Sequence, residues 1–341
     1  MRLHWFGGVR LAVDVAHLSV FWRWKRWLLG CFFLSPPLLF GAEPGQEPTR
    51  GSVKATLPPV DCVLIDSDSN LDDLRALAVV VPFLPVRGVV VTDGILLAKD
   101  GAETTKLFLS NLPAKPPIPV MEGAARAITS AAPPAWPWFA DARADALRIK
   151  PFLERVSPRP VKSGANVQQA FSDQVASAVQ GCSTIGLLVI GPWSSFGAYQ
   201  QQIISRVKYV VAQGRSPLDP TPARDLGWGR VNCNFDRDAC LFSLGKLQSI
   251  PVHWVDLPDK GPIYPITRDF IQKLKNTPLG LVLKRLMSED PAWRIQQQWD
   301  EMAAMFILQP EEFEADGQHY LPARVPEVMR NLESSLISGS R

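Results

Sequence analysis

Residues 60–73, with the sequence VDCVLIDSDSNLDD, decide the fold. The largely apolar run Val60–Ile65 has the length of a strand and lacks a regular polar face, which is typical of a strand buried on both sides of a parallel sheet. Four aspartates follow within eight residues, and the sequence after them predicts a helix over Asp72–Val81. This stretch therefore predicts a buried strand, an acidic turn and a helix, in that order.

The same alternation of apolar strands and helices continues along the chain. Further buried strands are expected at Arg87–Thr92, Ile118–Met121, Thr184–Ile190, Arg206–Ala212 and Val252–Val255. Further helices are expected at Ala102–Leu112, Val167–Val179, Ser194–Gln202, Asp236–Leu244, 266–288 and 291–308. This alternation predicts an α/β fold with a mostly parallel central sheet and helices on both faces, similar to a Rossmann core. Ligands bind at the carboxyl ends of such strands, and the irregular residues 123–150 are expected to form a loop over that site.

The composition excludes several classes of protein. Hydrophobic residues make up 46% of the chain and charged residues 20%, which is typical of a globular protein and excludes a disordered or multi-span membrane protein. Residues 1–42 contain five of the 36 Lys and Arg residues and only one of the 33 acidic residues. The remaining chain is close to neutral, so its net charge gives no indication of a nucleic-acid partner.

The first 42 residues have the features of a secretory signal peptide. A cationic segment, Trp22–Arg26, precedes a short apolar run and the small residues Gly41 and Ala42, so we expect cleavage before Glu43 and export to the periplasm or the extracellular space. An uncleaved N-terminal anchor and a start codon assigned too early remain alternatives. We expect no other membrane segment. The predicted organisation is a leader at 1–42, a linker at 43–58, one domain at 59–331 and a tail at 332–341.

Four cysteines remain after the leader. An even number in an exported protein permits two disulfide bridges. Cys62 lies in a predicted strand and Cys182 directly precedes another, so we favour buried free thiols over bridges for this set, which also includes Cys233 and Cys240.

The four aspartates Asp66, Asp68, Asp72 and Asp73 indicate a metal site. Carboxylates this close repel one another, and a bound hard cation such as Ca²⁺, which takes six to eight oxygen ligands, would offset that repulsion. The alternative is that they serve the turn and the helix N-terminus, where negative charge is favourable.

Two other acidic motifs compete with this interpretation. An EF-hand loop needs Gly and Glu at its sixth and twelfth positions, where this chain has Leu71 and Leu77, so it is excluded. A phosphatase of the haloacid dehalogenase type also follows a strand with D-x-D, and it remains an alternative.

Six segments, in order, resemble the inosine–uridine-preferring nucleoside hydrolase family. They span about residues 60–315 and together identify the chain as a divergent, exported member. The segments are DSDSNLDD at 66–73, GVVVTDG at 88–94, IPVMEG at 118–123, LLVIGPWSS at 187–195, RVNCNFDRDA at 230–239 and WDEMAAMFILQP at 299–310.

The resemblance implies calcium-dependent hydrolysis of the N-glycosidic bond of a ribonucleoside, releasing the free base and ribose. It implies calcium ligands at Asp68, Asp73, Asp300 and the backbone carbonyl of Ile190, with Asp68 as the general base. It places Asp72 and Asn232 against the sugar, makes Asp66 a support for the loop, and implies a homodimer or homotetramer. Asp236 is expected to cap a helix.

The chain departs from the family pattern at several positions. Val231 replaces a phenylalanine, and Ala212-Gln213-Gly214 replaces a methionine-glycine-glycine segment. Ile95 replaces an asparagine, Arg230 a glutamate and Trp299 a histidine that can assist the leaving base. Arg230 cannot accept a hydrogen bond from a sugar hydroxyl, although it suits a carboxylate or phosphate. A second hypothesis therefore stays open: a catalytically impaired protein that binds a nucleoside or sugar through the retained calcium site.

Aromatic and histidine side chains are the remaining candidates. Aromatic rings can stack on a nucleobase, although packing beneath a long loop is the alternative for each. His253 is interpreted as a core residue, and His319, in a polar segment, has no predicted role. The candidate aromatic residues are Trp136, Trp138, Phe139, Trp193, Trp228 and Trp299.

Overall fold

The computed structural model describes residues 54–112, 116–125, 136, 138–156, 170–219, 231–257, 268–289, 299–316 and 319–339. The predicted leader, residues 43–53 of the linker, Trp228 and Arg230 lie outside the described residues.

The described residues form an eight-stranded sheet in the order β3-β2-β1-β4-β5-β6-β8-β7. Neighbouring strands are parallel except for the antiparallel pair β7 and β8. The predicted mostly parallel α/β sheet is therefore confirmed. The strands are β1 Cys62–Ser67, β2 Val86–Val91, β3 Val120–Glu122, β4 Ile185–Val189, β5 Val207–Gln213, β6 Val252–Val255, β7 Phe313–Asp316 and β8 His319–Pro322.

Helices cover both faces of this sheet. Within the described residues, no helix combines the length and the apolar character needed to cross a membrane. The helices are α1 Leu71–Val80, α2 Ala98–Leu109, α3 Phe139–Leu147, α4 Ile149–Val156, α5 Phe171–Ala178, α6 Ser194–Ile203, α7 Val231–Phe235, α8 Arg237–Lys246, α9 Arg268–Lys273, α10 Pro278–Glu289, α11 Trp299–Leu308 and α12 Val325–Gly339.

The two-residue period of β1 divides the core into two. Val63 and Ile65 lie in one apolar cluster with residues of α1 and α11, whereas Cys62 and Leu64 lie in a second cluster with residues of α5 and α6. Both sets are almost fully buried. Burying each such side chain stabilises the fold by roughly 1.5–3 kcal/mol, and burial on both faces explains why the strand is apolar throughout.

The cysteines differ from the expectation of free thiols. Cys62 is bonded to Cys182, and Cys233 to Cys240, with Cα atoms 5.9 Å and 5.3 Å apart. Parallel pairing of β1 with β4 brings the first pair together, and adjacent helices bring the second pair together. The preference for free thiols was wrong because the apolar surroundings of a cysteine in the sequence do not show whether a second cysteine lies next to it in the fold.

Two expectations about irregular segments also need correction. The predicted loop at 123–150 contains α3, whose alanine, arginine and leucine residues favour a helix. The predicted boundary at 331 falls within α12, where Leu332 and Leu336 are buried against the core, so 332–339 is not a tail.

His319 belongs to β8 and is buried. His253 is half-buried on β6 against Phe306, as expected of a core residue.

Candidate functional site

A cleft lies at the carboxyl ends of β1, β4 and β5, where the first turns of α1 and α11 meet. Its empty space measures about 430 Å³, a volume that includes part of the open solvent at its mouth. We call it the acidic cleft. Its lining residues are Asp68, Asn70, Asp72, Asp73, Ile95, Trp138, Ile190, Gln213, Val231, Asn232, Trp299 and Asp300.

The turn between β1 and α1 holds Asp73 firmly in place. Its Oδ1 accepts hydrogen bonds from the Ser67 hydroxyl at 2.6 Å and the Asp68 backbone N–H at 3.0 Å, and its Oδ2 accepts one from the Asn70 N–H at 3.1 Å. Ser69 adopts a positive φ of 60° within this turn, a conformation that is uncommon outside glycine. The acidic turn is therefore tight, and the position of Asp73 is set before any ligand binds.

Three carboxylates converge beside this turn. Oxygens of Asp72, Asp73 and Asp300 all lie within 4.8 Å of one another, and all three residues are buried. Burial raises the pKa of both Asp72 and Asp73 to about 6. The charge of Asp68 adds to the rise for Asp72, and the charge of Asp72 adds to the rise for Asp73. Burial, and then the charges of Asp72 and Asp73, hold the pKa of Asp300 well above its usual range. The ionised cluster is therefore unfavourable without a counter-charge.

Asp68 lies at the same cleft but is oriented by a different contact. Its Oδ2 accepts a hydrogen bond from the Ile95 backbone N–H at 2.8 Å. Gly94 lies so close that a Cβ there would overlap the Asp68 carboxylate. Burial, followed by repulsion from Asp73, raises the pKa of Asp68 well above its usual range. Of the predicted ligands, Asp73 and Asp300 converge with Asp72, and Asp68 lies beside Asp73 at the same cleft while its Oδ2 contacts the Gly94–Ile95 loop.

The charge balance of the cleft favours a bound cation. None of its described lining residues is Lys, Arg or His. Arg75, one turn along α1, is buried and forms an ion pair with Glu301, the residue after Asp300. Asp72 Oδ1 is buried and has no hydrogen-bond partner among the described residues. A buried acceptor of this kind and an oxygen-only donor set fit a hard divalent metal ion.

Asn232 connects the opposite side of the cleft. Its Nδ2 donates to the Ile190 carbonyl oxygen and to Gln213 Oε1, both at 2.9 Å. The two predicted site residues Asn232 and Ile190 are thus in direct contact at the cleft. The contact uses both Nδ2 hydrogens and leaves the Asn232 Oδ1 as an acceptor. It also occupies one of the two lone pairs of the Ile190 carbonyl oxygen.

Of the four candidate tryptophans that the structure describes, two line the cleft and two do not. Trp138 and Trp299 are both half-buried lining residues, and Trp136 stacks on Trp138 with ring centroids 5.3 Å apart. Phe139 packs against Phe235 rather than into the cleft. Trp193 is fully buried in the second apolar cluster. Trp193 directly precedes α6, and its ring lies in the core rather than in the cleft, so it is not a ligand contact.

A buried polar network supports the base of the site. Asp66 Oδ1 accepts a hydrogen bond from the Thr92 hydroxyl at 2.6 Å, and Oδ2 accepts one from the Tyr199 hydroxyl at 3.3 Å. Burial raises the pKa of Asp66 to about 7. Asp236 caps α8 by accepting from the Ala239 N–H at 3.1 Å, as predicted. Asp66 thus joins β1 to β2 and α6 below the acidic turn.

Sequence reasoning gave no site role to three contributors to the cleft. Gln213 ends β5 and was noted only within the Ala212-Gln213-Gly214 departure from the family pattern, although its place after an apolar strand was an available signal. Asn70 supplies the N–H that holds Asp73. Ile95 was considered only as a replaced asparagine, yet its backbone N–H holds Asp68, a role that side-chain identity does not reveal.

Comparisons with known proteins identify the architecture. A purine-preferring ribonucleoside hydrolase from Gardnerella vaginalis is 13% identical with a TM-score of 0.58, over 82% of this chain and 99% of that one. An inosine–uridine-preferring nucleoside hydrolase from Bacillus anthracis is 14% identical with a TM-score of 0.56, over 82% and 98%. The type III effector protein XopQ, solved with adenosine diphosphate ribose, is 17% identical with a TM-score of 0.54, over 84% and 94%.

No sequence-family model matches the chain, and none of the curated proteins does. Likeness at these levels of identity concerns architecture rather than chemistry. It agrees with the order of the six segments quoted from the sequence and with the observed sheet. The expected architecture is confirmed, and the chain has the nucleoside hydrolase fold.

Proposed function

We propose that this protein hydrolyses the N-glycosidic bond of a ribonucleoside or related N-riboside, in a calcium-dependent reaction that releases the free base and the sugar. The observation that carries the proposal is the convergence of Asp72, Asp73 and Asp300 in a cleft at the carboxyl ends of the strands. The fold supports it, because two of the similar structures are named as hydrolases of nucleosides.

The ligand set of the acidic cleft suits calcium. Asp68, Asp73, Asp300 and the Ile190 carbonyl would hold the ion, and Asp72 offers another carboxylate within reach of Asp73 and Asp300. A bound calcium ion would orient a water molecule and lower its pKa.

Asp68 is the proposed general base. The Ile95 N–H donates to Asp68 Oδ2 and orients the carboxylate, which would accept a proton from the attacking water. Asp72 would accept a hydrogen bond from one sugar hydroxyl, and Asn232 Oδ1 from another, since the Asn232 amide hydrogens are already used. These acceptors hold the sugar while it passes through an oxocarbenium-like transition state.

The base of the substrate would lie against Trp138 and Trp299. Both line the cleft, and aromatic faces offer stacking that tolerates either a purine or a pyrimidine. Trp136, stacked on Trp138, would stiffen that wall.

A second candidate function is binding without turnover. The leaving base needs a proton, and no histidine, lysine or arginine is among the described residues that line the cleft. Trp299 stands where the resemblance expects a histidine. In this alternative the calcium site would hold a nucleoside or a ribose-containing ligand, and adenosine diphosphate ribose, present in the XopQ structure, belongs among the ligands to test.

Export is proposed as well. Two disulfide bonds are typical of proteins that fold in an oxidising compartment, which supports the signal-peptide interpretation of residues 1–42. N-terminal sequencing of the protein recovered from the periplasm or medium tests it. A mature chain beginning at Glu43 is expected, and an intact leader in the cytoplasm would contradict export.

The decisive experiment incubates the purified protein and calcium with purine and pyrimidine ribonucleosides, and measures released base and reducing sugar. Release is expected to stop on chelation, to return with added calcium, and to be lost in Asp68→Asn. Asp269→Asn, which changes an exposed aspartate of α9, is the matched control. No release from any nucleoside by a protein that binds calcium would overturn hydrolysis and favour the binding alternative.

A further inference from the structure

The loop between β2 and α2 touches Asp68 in two ways. The Ile95 N–H donates to Asp68 Oδ2 at 2.8 Å, and Gly94 is packed directly against the same carboxylate. The direction of the Asp68 carboxylate therefore depends on where the backbone of these two residues is held. A shift of this loop would rotate or release Asp68.

Arg143, in the middle of α3, holds this backbone from the other side. Its Nε donates to the Ile95 carbonyl oxygen at 2.7 Å, and its Nη2 donates to the Gly94 carbonyl oxygen at 2.9 Å. Its guanidinium also lies over the ring of Phe139, with the central carbon 4.7 Å from the ring centroid. One planar guanidinium group thus binds two successive carbonyl oxygens, and the loop cannot shift with both contacts intact unless α3 also moves.

We propose that Arg143 is a positioning residue for Asp68, acting through the Gly94–Ile95 backbone. The inference rests on the proposed function, since it treats Asp68 as a metal ligand and as the base. The Arg143 guanidinium binds the carbonyl oxygens of Gly94 and Ile95. The Gly94 carbonyl and the Ile95 N–H belong to one peptide unit, and that N–H donates to the Asp68 carboxylate.

The same helix connects Asp68 to the aromatic wall. Trp138, which lines the acidic cleft, directly precedes α3, and its ring packs against that of Phe139 beneath Arg143. The orientation of Asp68 and the placement of the Trp138 ring therefore depend on one structural unit. A ligand that settles against Trp138 would also stabilise the hold on Asp68.

Arginine is suited to this task because its donors have a fixed, planar geometry, whereas lysine offers one mobile ammonium group. Arg143→Lys is therefore expected to keep one carbonyl contact and part of the effect. Arg143→Gln should lose the double contact. Arg148, at the end of the same helix, is exposed and pairs with Asp145, so Arg148→Gln is the matched control.

The test compares these variants in the full-length protein by three measurements. Amide hydrogen exchange at Gly94 and Ile95 is expected to accelerate by about fivefold or more in Arg143→Gln, because local opening exposes these N–H groups. Calcium affinity, from calorimetric titration, is expected to weaken by about threefold to tenfold. Turnover of a nucleoside substrate is expected to show kcat lowered by about tenfold with KM within about twofold, since a misplaced base costs rate more than binding.

Arg143→Lys should lie between wild type and Arg143→Gln in each measurement, and Arg148→Gln should match wild type. Unchanged exchange at Ile95 in Arg143→Gln would overturn the proposal, and so would faster exchange with unchanged calcium affinity. If Arg143→Gln fails to fold, the same criteria apply to Arg143→Lys. If the wild type hydrolyses no nucleoside, the proposed function fails, but exchange and calcium affinity still decide whether Arg143 positions Asp68.

Discussion

Buried carboxylates occupy two places along the carboxyl edge of the sheet, and their charges are balanced differently. In the acidic cleft, Asp72, Asp73 and Asp300 converge with no Lys or Arg among the described lining residues. At the end of β6, Asp256 Oδ2 accepts a hydrogen bond from Arg215 Nε at 2.6 Å, and both side chains are buried.

The β6 end, which we define as Arg215, Asp219, Asp256 and His319, also contains a second pair. His319 Nδ1 lies 3.6 Å from Asp219 Oδ2, and both residues are buried. Asp256 at the β6 end is paired with an arginine, whereas three carboxylates converge in the acidic cleft, and Arg75, whose charge lowers the pKa of Asp72, also forms an ion pair with Glu301. The difference teaches that burial of acidic groups alone does not indicate a metal site, and that the excess of carboxylates over counter-charge is what makes the acidic cleft the candidate.

The largest expected effect is the loss of calcium affinity in Asp300→Asn. Asp300 converges with Asp72 and Asp73, so its amide variant removes one negative ligand with little change in shape. We expect calcium to bind on the order of 10³-fold more weakly, or about 4 kcal/mol, because even outer-shell changes cost 10–100-fold. Calorimetric titration measures it, with Asp269→Asn as the control. Wild-type affinity in Asp300→Asn would show that the cleft is not the calcium site.

The complementary variant, Asp256→Asn, is expected to lower stability and leave calcium binding alone. It removes the negative charge with which Asp256 pairs the buried Arg215, a loss that costs about 3 kcal/mol. Urea unfolding should show a lower midpoint with an unchanged slope. A loss of calcium affinity in this variant would remove the functional distinction between the two regions.

Acid should weaken calcium binding at the acidic cleft. Burial raises the pKa of Asp72 and Asp73 to about 6, so below pH 6 calcium must displace protons that are absent at pH 7.5. Affinity is expected to fall by about tenfold per pH unit for each proton displaced. Titrations at pH 7.5, 6 and 5, in buffers of different ionisation enthalpy, measure both the affinity and the protons released. A constant affinity over this range would contradict the shifted pKa values.

The smallest expected effect is a gain in stability in Asp300→Asn without calcium, opposite to the loss of stability expected in Asp256→Asn. Burial, with Asp72 and Asp73, raises the folded-state pKa of Asp300, so stability present at acid pH is lost as pH rises from the ordinary value of 3.8. In chelator at pH 7.5, Asp300→Asn should therefore gain about 1 kcal/mol, or roughly 2 °C in Tm. Thermal melting should show this gain disappearing near pH 3.5. A loss of stability at pH 7.5 would mean that the metal-free cluster is already balanced by charge.

Local patterns predicted the parts of the fold that are locally determined. The strands β1, β2, β4 and β5 were predicted because burial on both faces makes most of their residues apolar, even though β2 and β5 each include one exposed charged residue. The hairpin of β7 and β8 was missed because Phe313–Asp316 has one buried residue and three exposed ones, so its sequence lacks the pattern of a buried strand. The end of α12 was missed because a few buried leucines in a polar segment look like a tail.

Site residues divide in the same way. Asp68, Asp72 and Asp73 were found because they cluster within a few residues, and Asp300 because a family resemblance named it. Gln213 and the Ile95 N–H have no local signal of this strength, since a glutamine or a backbone amide becomes a site group only through its neighbours.

By itself, the sequence determined that buried strands alternate with helices and that four aspartates follow the first strand. Local burial and helix-capping preferences act within a few residues, so they are readable in order along the chain. Only the tertiary structure decided that Asp300 meets Asp72 and Asp73, that Cys62 meets Cys182, and that Arg143 reaches the loop beside Asp68. Those contacts depend on strand order and on the path of each crossover, and no local preference specifies which distant side chain arrives opposite another.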